Sequence, residues 1–398
     1  MHLLELGFIL IYGYFFGFRF GVMRLLLKNI LKTKEIILSV LLCLYPYAFY
    51  DIGFNLVYLP LLLKGLSPYF NVNYLVLRSY FILYLFGRIQ ILELLLYPFW
   101  KVYSGLILLL SFLFQTRLAE FLLRIGLKVL NNQRLLIVGG PSIIWIFLFL
   151  FQSKRKQIQS FLVMCLFITY VPYTRVSMIN VYQGDATFIA LPFNSISILI
   201  DTGRTSAYNT LKKSLYKQGI KQLDYLIITH DDFDHMENKE MLMEEFGVKY
   251  LIETKDQKVP FMMQLLQEVT YEDENDNSLI FYFKTKQASF MFMGDAGIPQ
   301  EKEIIKAHPF LNVDVLKLGH HGSKTSSSTS FLESLRPKIA LISSDPRVYN
   351  HPHPEVMNNL QSFRITPLQT SEQGNVEIRL YPFMKVVVSQ RGGFGIMK

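Results

Sequence analysis

The feature that most constrains this chain is a short apolar strand that runs directly into a set of ionisable side chains. Residues 226–235 read Leu-Ile-Ile-Thr-His-Asp-Asp-Phe-Asp-His. Because alternate residues at the end of a strand point to the same side, His230, Asp232 and Asp234 can converge there. With His235 they form a set of two imidazoles and two carboxylates, which suits zinc or manganese. The segment predicts a metal site; a polar loop with incidental histidines is the alternative.

Three later segments repeat this plan of an apolar strand followed by polar side chains. Residues 290–295 end in Gly-Asp, residues 315–323 end in Gly-His-His-Gly-Ser, and residues 350–355 contain His-Pro-His. Ligands that follow several strands at the same sheet edge are typical of sites in α/β proteins. Asp295 is then placed to bridge two metals with one carboxylate. The two cysteines, Cys43 and Cys165, lie inside apolar runs and predict neither metal ligands nor a disulfide framework.

The first 173 residues have a different character. The whole chain is 51% hydrophobic, which is high for a soluble protein. Long apolar runs predict a polytopic α-helical membrane domain over residues 1–173, although several are short for a span of about 20 residues. Residues 116–134 are amphipathic and predict an interfacial helix or a linker. The apolar runs cover residues 4–20, 36–50, 52–64, 74–86, 89–100, 103–114, 135–151 and 158–173.

The net charge of +9 is unevenly distributed. Residues 1–173 hold 16 of the 40 basic and 5 of the 31 acidic residues, a net of +11, so the remainder carries −2. Basic loops between membrane helices usually set topology, so this charge is weak evidence for nucleic-acid binding. The basic run Lys154–Lys156 predicts a cytoplasmic loop, which places the chain after Tyr173 outside the membrane.

From Thr174 onward, short strands rich in β-branched and aromatic residues alternate with amphipathic helices. This pattern predicts an α/β layered domain over residues 174–398. The predicted strands cover residues 176–181, 186–190, 197–200, 225–229, 279–283, 290–293, 313–318 and 339–343. The predicted helices cover residues 207–218, 239–246, 300–307 and 328–334.

These segments resemble, in order, the metallo-β-lactamase domain of ComEC-type competence proteins. The match runs through Asn-Val-Tyr-Gln-Gly-Asp at 180–185, Leu-Ile-Asp-Thr-Gly at 199–203, the 230–235 cluster, Gly294-Asp295 and Gly-His-His-Gly-Ser-Lys-Thr-Ser at 319–326. It continues in His351-Pro-His353, and Asp232 replaces a second histidine as is typical of this branch. The resemblance implies an αββα sandwich. In the first half, Asp-Ile-Gly-Phe-Asn-Leu at 51–56 and Phe-Gly-Arg at 86–88 resemble the family's competence domain.

The resemblance implies a multi-pass protein of the bacterial cell membrane that takes up DNA. One strand is transported, and the extracytoplasmic hydrolase domain degrades the other. Implied partners are DNA, membrane lipid, and other competence proteins or a separately encoded N-terminal part. The chain resembles only the later part of the competence domain, so we expect an N-terminally truncated form: a gene fragment, a misplaced start or half of a split protein.

The resulting hypothesis is metal-assisted phosphodiester hydrolysis with two divalent ions, zinc or manganese. His230 and Asp232 would hold one ion; Asp234, His235 and His320 would hold the second; Asp295 would bridge. Asp232 or Asp234 would also act catalytically by orienting the attacking water. His321 could replace His320 as a ligand, donate to phosphate, or simply pack behind it. The remaining candidates are substrate-binding or supporting residues: Ser323, Lys324, His353, Asp201 and Asp185.

Asp201 and Asp185 are expected to be structural or to orient a ligand histidine rather than bind metal. Lys324 could instead be a solvated surface residue. Two departures from the family pattern affect the site. Residues 236–238 are Met-Glu-Asn where Gly-Gly is usual, and no histidine lies between residues 236 and 294. One metal would then lack a protein ligand, unless His353 supplies it. This leaves two alternatives: a membrane-anchored hydrolase of another phosphodiester, or an inactive remnant.

Overall fold

The computed structural model describes residues 73–91, 97–113, 115–130, 136–266 and 275–397. The chain divides into two compact units. One comprises the residues up to Ala119 together with Pro141–Leu166, and the other comprises Glu120–Gly140 and the residues from Phe167 onward. The apolar runs predicted before residue 73, Cys43 and the 51–56 motif lie outside the described residues. The predicted domain boundary at residue 173 stays a prediction.

Helices dominate the described residues before Thr174. The helices are α1 (Tyr74–Phe86), α2 (Tyr97–Phe112), α3 (Thr116–Leu130), α4 (Ile144–Leu150) and α5 (Lys154–Thr169), with short strands β1 (Arg88–Gln90) and β2 (Leu136–Val138). The Asn73 side chain caps α1 by accepting from the amides of Leu75 and Val76. Among these described helices, none combines the length and the apolar character that crossing a membrane requires.

The apolar run predicted over residues 135–151 is not one continuous helix. Its first residues form β2, and only the seven residues of α4 are helical. Gly139, Gly140 and Pro141 separate the two, and Gly139 has a φ of 141°, which an L-residue rarely adopts. Proline also lacks the amide that a helix interior needs. The basic residues Lys154–Lys156, predicted as a loop, form the first turn of α5.

The described residues from Thr174 onward form two β-sheets. An eight-stranded sheet has the order β16-β15-β14-β3-β4-β5-β6-β7, and a six-stranded sheet has the order β13-β12-β11-β10-β9-β8. The first sheet comprises β3 (Thr174–Met178), β4 (Thr187–Ala190), β5 (Ser197–Ile200), β6 (Tyr225–Ile227), β7 (Tyr250–Ile252), β14 (Val376–Leu380), β15 (Lys385–Ser389) and β16 (Phe394–Met397). The second comprises β8 (Met263–Leu265), β9 (Phe281–Lys284), β10 (Ser289–Phe292), β11 (Val315–Lys317), β12 (Ile339–Ile342) and β13 (Thr366–Gln369).

The central strands are apolar on both faces because both faces are covered. In β5, Ile198 and Ile200 belong to the core between the two sheets, whereas Leu199 points into a second core under helices. In β10, Phe290 joins the inter-sheet core, and Met291 points to a third core under the other helices. Successive residues of a strand point to opposite faces of the sheet, and here both faces are buried. These strands are therefore apolar at every position instead of alternating between apolar and polar residues.

Helices cover the two outer faces of this sandwich. Helices α6 (Tyr208–Lys217), α7 (Phe233–Met236) and α8 (Lys239–Phe246) follow strands of the first sheet, and α6 and α8 pack on it through Leu211, Leu215, Leu242 and Phe246. Helices α9 (Ile298–Ala307), α10 (Thr329–Leu335), α11 (Pro346–Tyr349), α12 (Pro354–Ser362) and α13 (Thr370–Gln373) follow strands of the second, where α9, α10 and α12 supply Ile304, Phe331 and Leu360 to the core. The order helix, sheet, sheet, helix confirms the predicted αββα sandwich.

Strand direction determines where polar residues can collect. Strands β5, β6 and β7 are parallel to one another, and so are β10, β11, β12 and β13. Residues that directly follow β5, β6, β10 and β11 therefore emerge at the carboxyl edge of their sheet.

Candidate metal centre

The segment after β6 supplies the largest group of candidate ligands. His230 follows the strand by three residues, and Asp232 is the N-cap of α7, so that Asp234 and His235 lie in this short helix. The turn before β4 anchors the helix, because the Asp185 amide donates to the Asp234 carbonyl over 3.1 Å. Gly184 permits this close approach: a Cβ at that position would lie 2.4 Å from the same carbonyl oxygen.

Asp295 and the two adjacent histidines follow the parallel strands of the other sheet. The Ser278 hydroxyl accepts from the Asp295 amide over 3.0 Å, and a Cβ at Gly294 would lie 2.8 Å from the Ser278 Cβ. His320 and His321 follow β11 with φ values of 45° and 54°. Left-handed backbone is costly for residues other than glycine, and two such residues in succession are typical of a functional site.

These segments meet in a compact cluster. His235 Nε2 lies 3.2 Å from Asp295 Oδ1, and the rings of His230 and His235 are 4.1 Å apart. His321 Nε2 lies 3.3 Å from Asp234 Oδ2 and 3.5 Å from Asp295 Oδ2. Among the described residues, four overlapping groups have ligand atoms within 4.8 Å of one another. Two of these ligand groups are His230, His235 and Asp295, and Asp234, His235 and His321; the other two contain the carboxylate of Asp185.

The unpaired atoms of this cluster fit a bound metal. Within the described part of the chain, His230 Nε2, His235 Nε2, His321 Nε2 and Asp295 Oδ1 are buried and make no hydrogen bond of good geometry, although each imidazole nitrogen lies 3.2 to 3.5 Å from a carboxylate oxygen. Buried polar atoms are rarely left unpaired, because each loses its hydration without compensation. Imidazole nitrogens and carboxylate oxygens are donors that divalent transition metals accept. The residues present therefore suit divalent metal.

His320 and His321 differ in where they point. His321 is buried and directed at Asp234 and Asp295, and its Nδ1 lies 2.7 Å from the Ser343 carbonyl oxygen. The His320 side chain is 34% exposed, and its Nε2 lies 4.0 Å from Asp295 Oδ2. Geometry thus puts His321 in the position expected for His320, and leaves His320 at the opening of the site.

Two buried carboxylates lie behind the ligand histidines. Asp201 Oδ2 is 2.9 Å from His235 Nδ1, and Asp201 also accepts from the amide and hydroxyl of Thr229. A carboxylate on the far nitrogen fixes the tautomer and orientation of a ligand imidazole. Asp185 Oδ1 lies 3.5 Å from His321 Nδ1, and its other oxygen pairs with the buried ammonium of Lys317.

The electrostatics of the cluster are those of closely packed opposite charges. Burial opposes ionisation, but Asp295 and Asp201 raise the pKa of His235 well above its usual value. Asp295 and Asp185 likewise raise the pKa of His321 to about 10 against the effect of burial. Despite burial, Lys317 and His321 lower the pKa of Asp185 to about 2. Metal binding to such imidazoles releases protons, so affinity rises with pH.

The cluster opens into a small cavity of about 140 Å³. Two predicted catalytic residues, Asp232 and Asp234, line it, and His230 Nε2 lies 3.5 Å from Asp232 Oδ2. Three other lining residues, Gln183, Tyr349 and His351, were not predicted as site residues. Gln183 nevertheless lies in the 180–185 motif, and His351 begins the His-Pro-His motif. The full lining is Gln183, Asp232, Asp234, Asp295, His320, His321, Tyr349 and His351.

Three of the residues predicted to bind substrate, His353, Ser323 and Lys324, do not line this cavity. The ring of His353 caps α12 by accepting from the Glu355 amide, and His351 lies at the cavity instead. The Ser323 hydroxyl accepts from the amide and hydroxyl of Thr325. Lys324 is exposed.

Lys317 was not predicted as part of the site. A lysine within an otherwise apolar strand could have indicated it, because lysine is rarely buried without a partner.

The segment that replaces Gly-Gly is well bonded. The Asn238 side chain is buried, and its amide donates to the carbonyls of Thr202, Gly203 and Arg204 over 2.8 to 3.1 Å. Glu237 accepts from the Thr205 amide over 2.6 Å. The Asn238 amide thus satisfies three carbonyl oxygens of the segment after β5, whereas its own Oδ1 is buried without a hydrogen-bond partner.

Comparison with known proteins agrees with this geometry. Residues 179–274 match the family model described as the metallo-beta-lactamase superfamily. The chain is 33% identical over 253 residues to ComE operon protein 3 of Bacillus subtilis, which covers 51% of this chain and 33% of that protein. It is 28% identical over 235 residues to Recombination protein 2 of Haemophilus influenzae, covering 53% and 29%. It is 30% identical over 201 residues to Competence protein ComA of Neisseria gonorrhoeae, covering 46% and 29%.

The chain spans about a third of the length of the curated relatives it matches. The superfamily implies divalent metal at the cluster that the strands assemble. The order of the motifs, the αββα sandwich and these matches show a metallo-β-lactamase domain and are consistent with a ComEC-type protein.

Proposed function

We propose that the chain acts in DNA uptake and that its C-terminal unit hydrolyses phosphodiester bonds of DNA with two divalent ions, zinc or manganese. One observation carries the proposal: four buried ligand atoms that make no hydrogen bond of good geometry face one another beside the carboxylates of Asp232 and Asp234. That arrangement is costly unless metal is bound, and its opening admits a phosphate.

His230, His235, His321, Asp234 and Asp295 would hold the ions, with Asp295 and His235 close to both groups. When bound, two such ions supply a nucleophile at neutral pH and stabilise charge on phosphate oxygens. Asp232 lines the opening and orients or deprotonates the attacking water. His320 and His351 lie at the same opening and are placed to donate to a phosphate oxygen.

DNA as the substrate class rests on the relatives, two of which are named for competence or its operon and one for recombination. We extend this to transport of a single strand and degradation of the other. Membrane lipid and further competence proteins, or a separately encoded N-terminal part, are the proposed partners.

We also propose a location in the bacterial cell membrane, with the C-terminal unit on the extracytoplasmic side. Exposed apolar side chains on α2 and α5, among them Val102, Leu109 and Leu166, support contact with lipid. The basic start of α5 supports the cytoplasmic position of that end of the helix. Cysteine accessibility at position 383 in intact cells tests the orientation: labelling of Phe383→Cys by a membrane-impermeant maleimide supports it.

Hydrolysis of a different phosphodiester is the second candidate. The cavity of about 140 Å³ is smaller than ligand pockets that enclose a whole small molecule, which begin at about 300 Å³. A cavity of this size would contact a phosphate group and not a base, so it does not favour DNA over another phosphodiester.

Cleavage assays with the purified chain separate these candidates. We expect manganese- or zinc-dependent cleavage of DNA that is abolished in Asp234→Ala and unchanged in Asp256→Ala, an exposed carboxylate of the β7–β8 loop. Cleavage of bis-p-nitrophenyl phosphate alone supports the second candidate. A chain that binds metal but cleaves neither compound contradicts both.

A further inference from the structure

Three exposed rings either line the metal cavity or lie next in sequence to residues that line it. Phe233 lies between the lining residues Asp232 and Asp234, and its side chain is 75% exposed. Tyr349 lines the cavity and is 55% exposed, and Tyr182, next to the lining residue Gln183, is 49% exposed. A large apolar ring in water is costly, and several around one opening are typical of a binding surface.

From Tyr349, neighbouring rings lead inward to the ligand residue His321. The centroid of Tyr349 is 6.2 Å from that of His351, which is 6.1 Å from His320. His320 is in turn 6.3 Å from the buried ring of His321. A series of flat side chains therefore leads from solvent to the carboxylates.

The size of the cavity limits what enters it. About 140 Å³ accommodates the reacting phosphate, whereas pockets that enclose a whole small ligand begin at about 300 Å³. If DNA is the substrate, its bases must remain outside the cavity, where Tyr349 presents an exposed ring and Phe233 follows the lining residue Asp232 in sequence. Bases of a duplex stack on their neighbouring pairs, so their faces are available to protein rings only when the strand is unpaired.

We propose that the exposed rings of Phe233 and Tyr349 stack on unpaired nucleobases, so that the site takes its substrate as a single strand. This inference rests on the proposed phosphodiesterase function and names the form of the substrate. Stacking tolerates any base, because every base has a flat face. The site would accordingly cleave single strands without strong sequence preference.

Binding measurements in EDTA, where no cleavage occurs, test this directly. The probes are a fluorescent oligothymidylate of about 12 nucleotides, within the usual range for such sites, an abasic oligomer of equal length and a duplex. We expect the full chain to bind the oligothymidylate tightest. Phe233→Ala and Tyr349→Ala should each weaken that binding by about 5-fold to 100-fold and leave the abasic oligomer unaffected.

Two further variants control for local damage. Phe233→Trp keeps a flat ring and should retain binding to the oligothymidylate. Phe383→Ala removes a ring that is 99% exposed in the β14–β15 turn, at the sheet end away from the metal cavity, and should change nothing. Equal affinity for the thymidylate and abasic oligomers, no detectable binding of the thymidylate, or equal weakening of both by the alanine variants overturns the inference.

Cleavage with manganese separates this inference from the function on which it rests. Equal cleavage of single-stranded and duplex DNA, with Phe233→Ala unchanged in KM for both, removes the stacking role but leaves the phosphodiesterase. Absence of cleavage of every DNA by the metal-loaded chain removes the phosphodiesterase, while the binding preferences still decide whether the rings stack on bases.

Discussion

His235 is the residue on which the candidate metal centre depends most. It belongs to three of the four ligand groups and is fully buried, with Nδ1 directed at Asp201 and Nε2 at Asp295. Its backbone is equally constrained, since its carbonyl accepts from the amide and hydroxyl of Thr202. One side chain thus links both sheets, which explains why residues far apart in the sequence can share a metal.

The support that Asp201 gives to His235 can be tested by Asp201→Asn. Asparagine tolerates the left-handed φ of 59° at this position, so the backbone should persist. The amide no longer holds the imidazole tautomer as a carboxylate does, and we expect manganese affinity to fall by about 10-fold to 100-fold. Titration calorimetry measures this, with Asp256→Asn, an exposed carboxylate of the β7–β8 loop, as the matched variant outside the site. Unchanged affinity in Asp201→Asn would show that the contact is only structural.

At the level of elements, the two sheets use the same polar arrangement at the ends opposite the metal centre. Asp314 precedes β11 and accepts from the amide and hydroxyl of Ser289, while Lys338 lies 3.1 Å from its other oxygen. Asp224 precedes β6 and accepts from Ser197 in the same way, with Lys249 as its cation. Each set ties together the starts of three parallel strands and so fixes the register that brings the ligands together at the far ends.

This arrangement predicts a pH effect on stability. Burial raises the pKa of Asp314, but the Ser289 amide and Lys338 outweigh it and lower the pKa below the usual value. A carboxyl whose pKa is lower in the folded state stabilises above its unfolded pKa of about 3.9 and loses this contribution as pH falls further. Urea unfolding between about pH 3 and pH 6 should therefore show a steeper acid loss in the native chain than in Asp314→Asn. Parallel curves for the two proteins would contradict the role of Asp314.

At the scale of the whole molecule, local patterns predicted an α/β layered domain, and the family resemblance implied the αββα sandwich. The motifs at the strand ends named most of the residues that the structure brings together in the candidate metal centre. His230 and Asp295 follow closely after the strands that position them, so the local sequence alone could indicate both as candidate ligands. The choice between His320 and His321 was not accessible in this way. Adjacent residues differ only in direction, and here that direction depends on two successive left-handed residues and on the Ser343 carbonyl.

Other features depend on contacts between distant segments. Lys317 pairs with Asp185, which lies in the turn before β4 of the other sheet, so the sequence indicated neither residue as a partner of the other. Strands β13 to β16 were not predicted, because their pairing with β12 and β3 depends on long-range register rather than on local pattern. In the helical part, the apolar run over residues 135–151 predicted one continuous segment, but residues 139–141 interrupt it between β2 and α4.

The number of manganese ions bound by the purified chain tests the central claim most directly. Calorimetric titration of the metal-stripped protein should give two saturable sites per chain. His321→Ala should lose binding at one site or both, because His321 faces Asp234 and Asp295. His320→Ala should keep both sites, because His320 lies at the opening. Absence of saturable binding in the native chain, or loss in His320→Ala but not in His321→Ala, would contradict this account of the site.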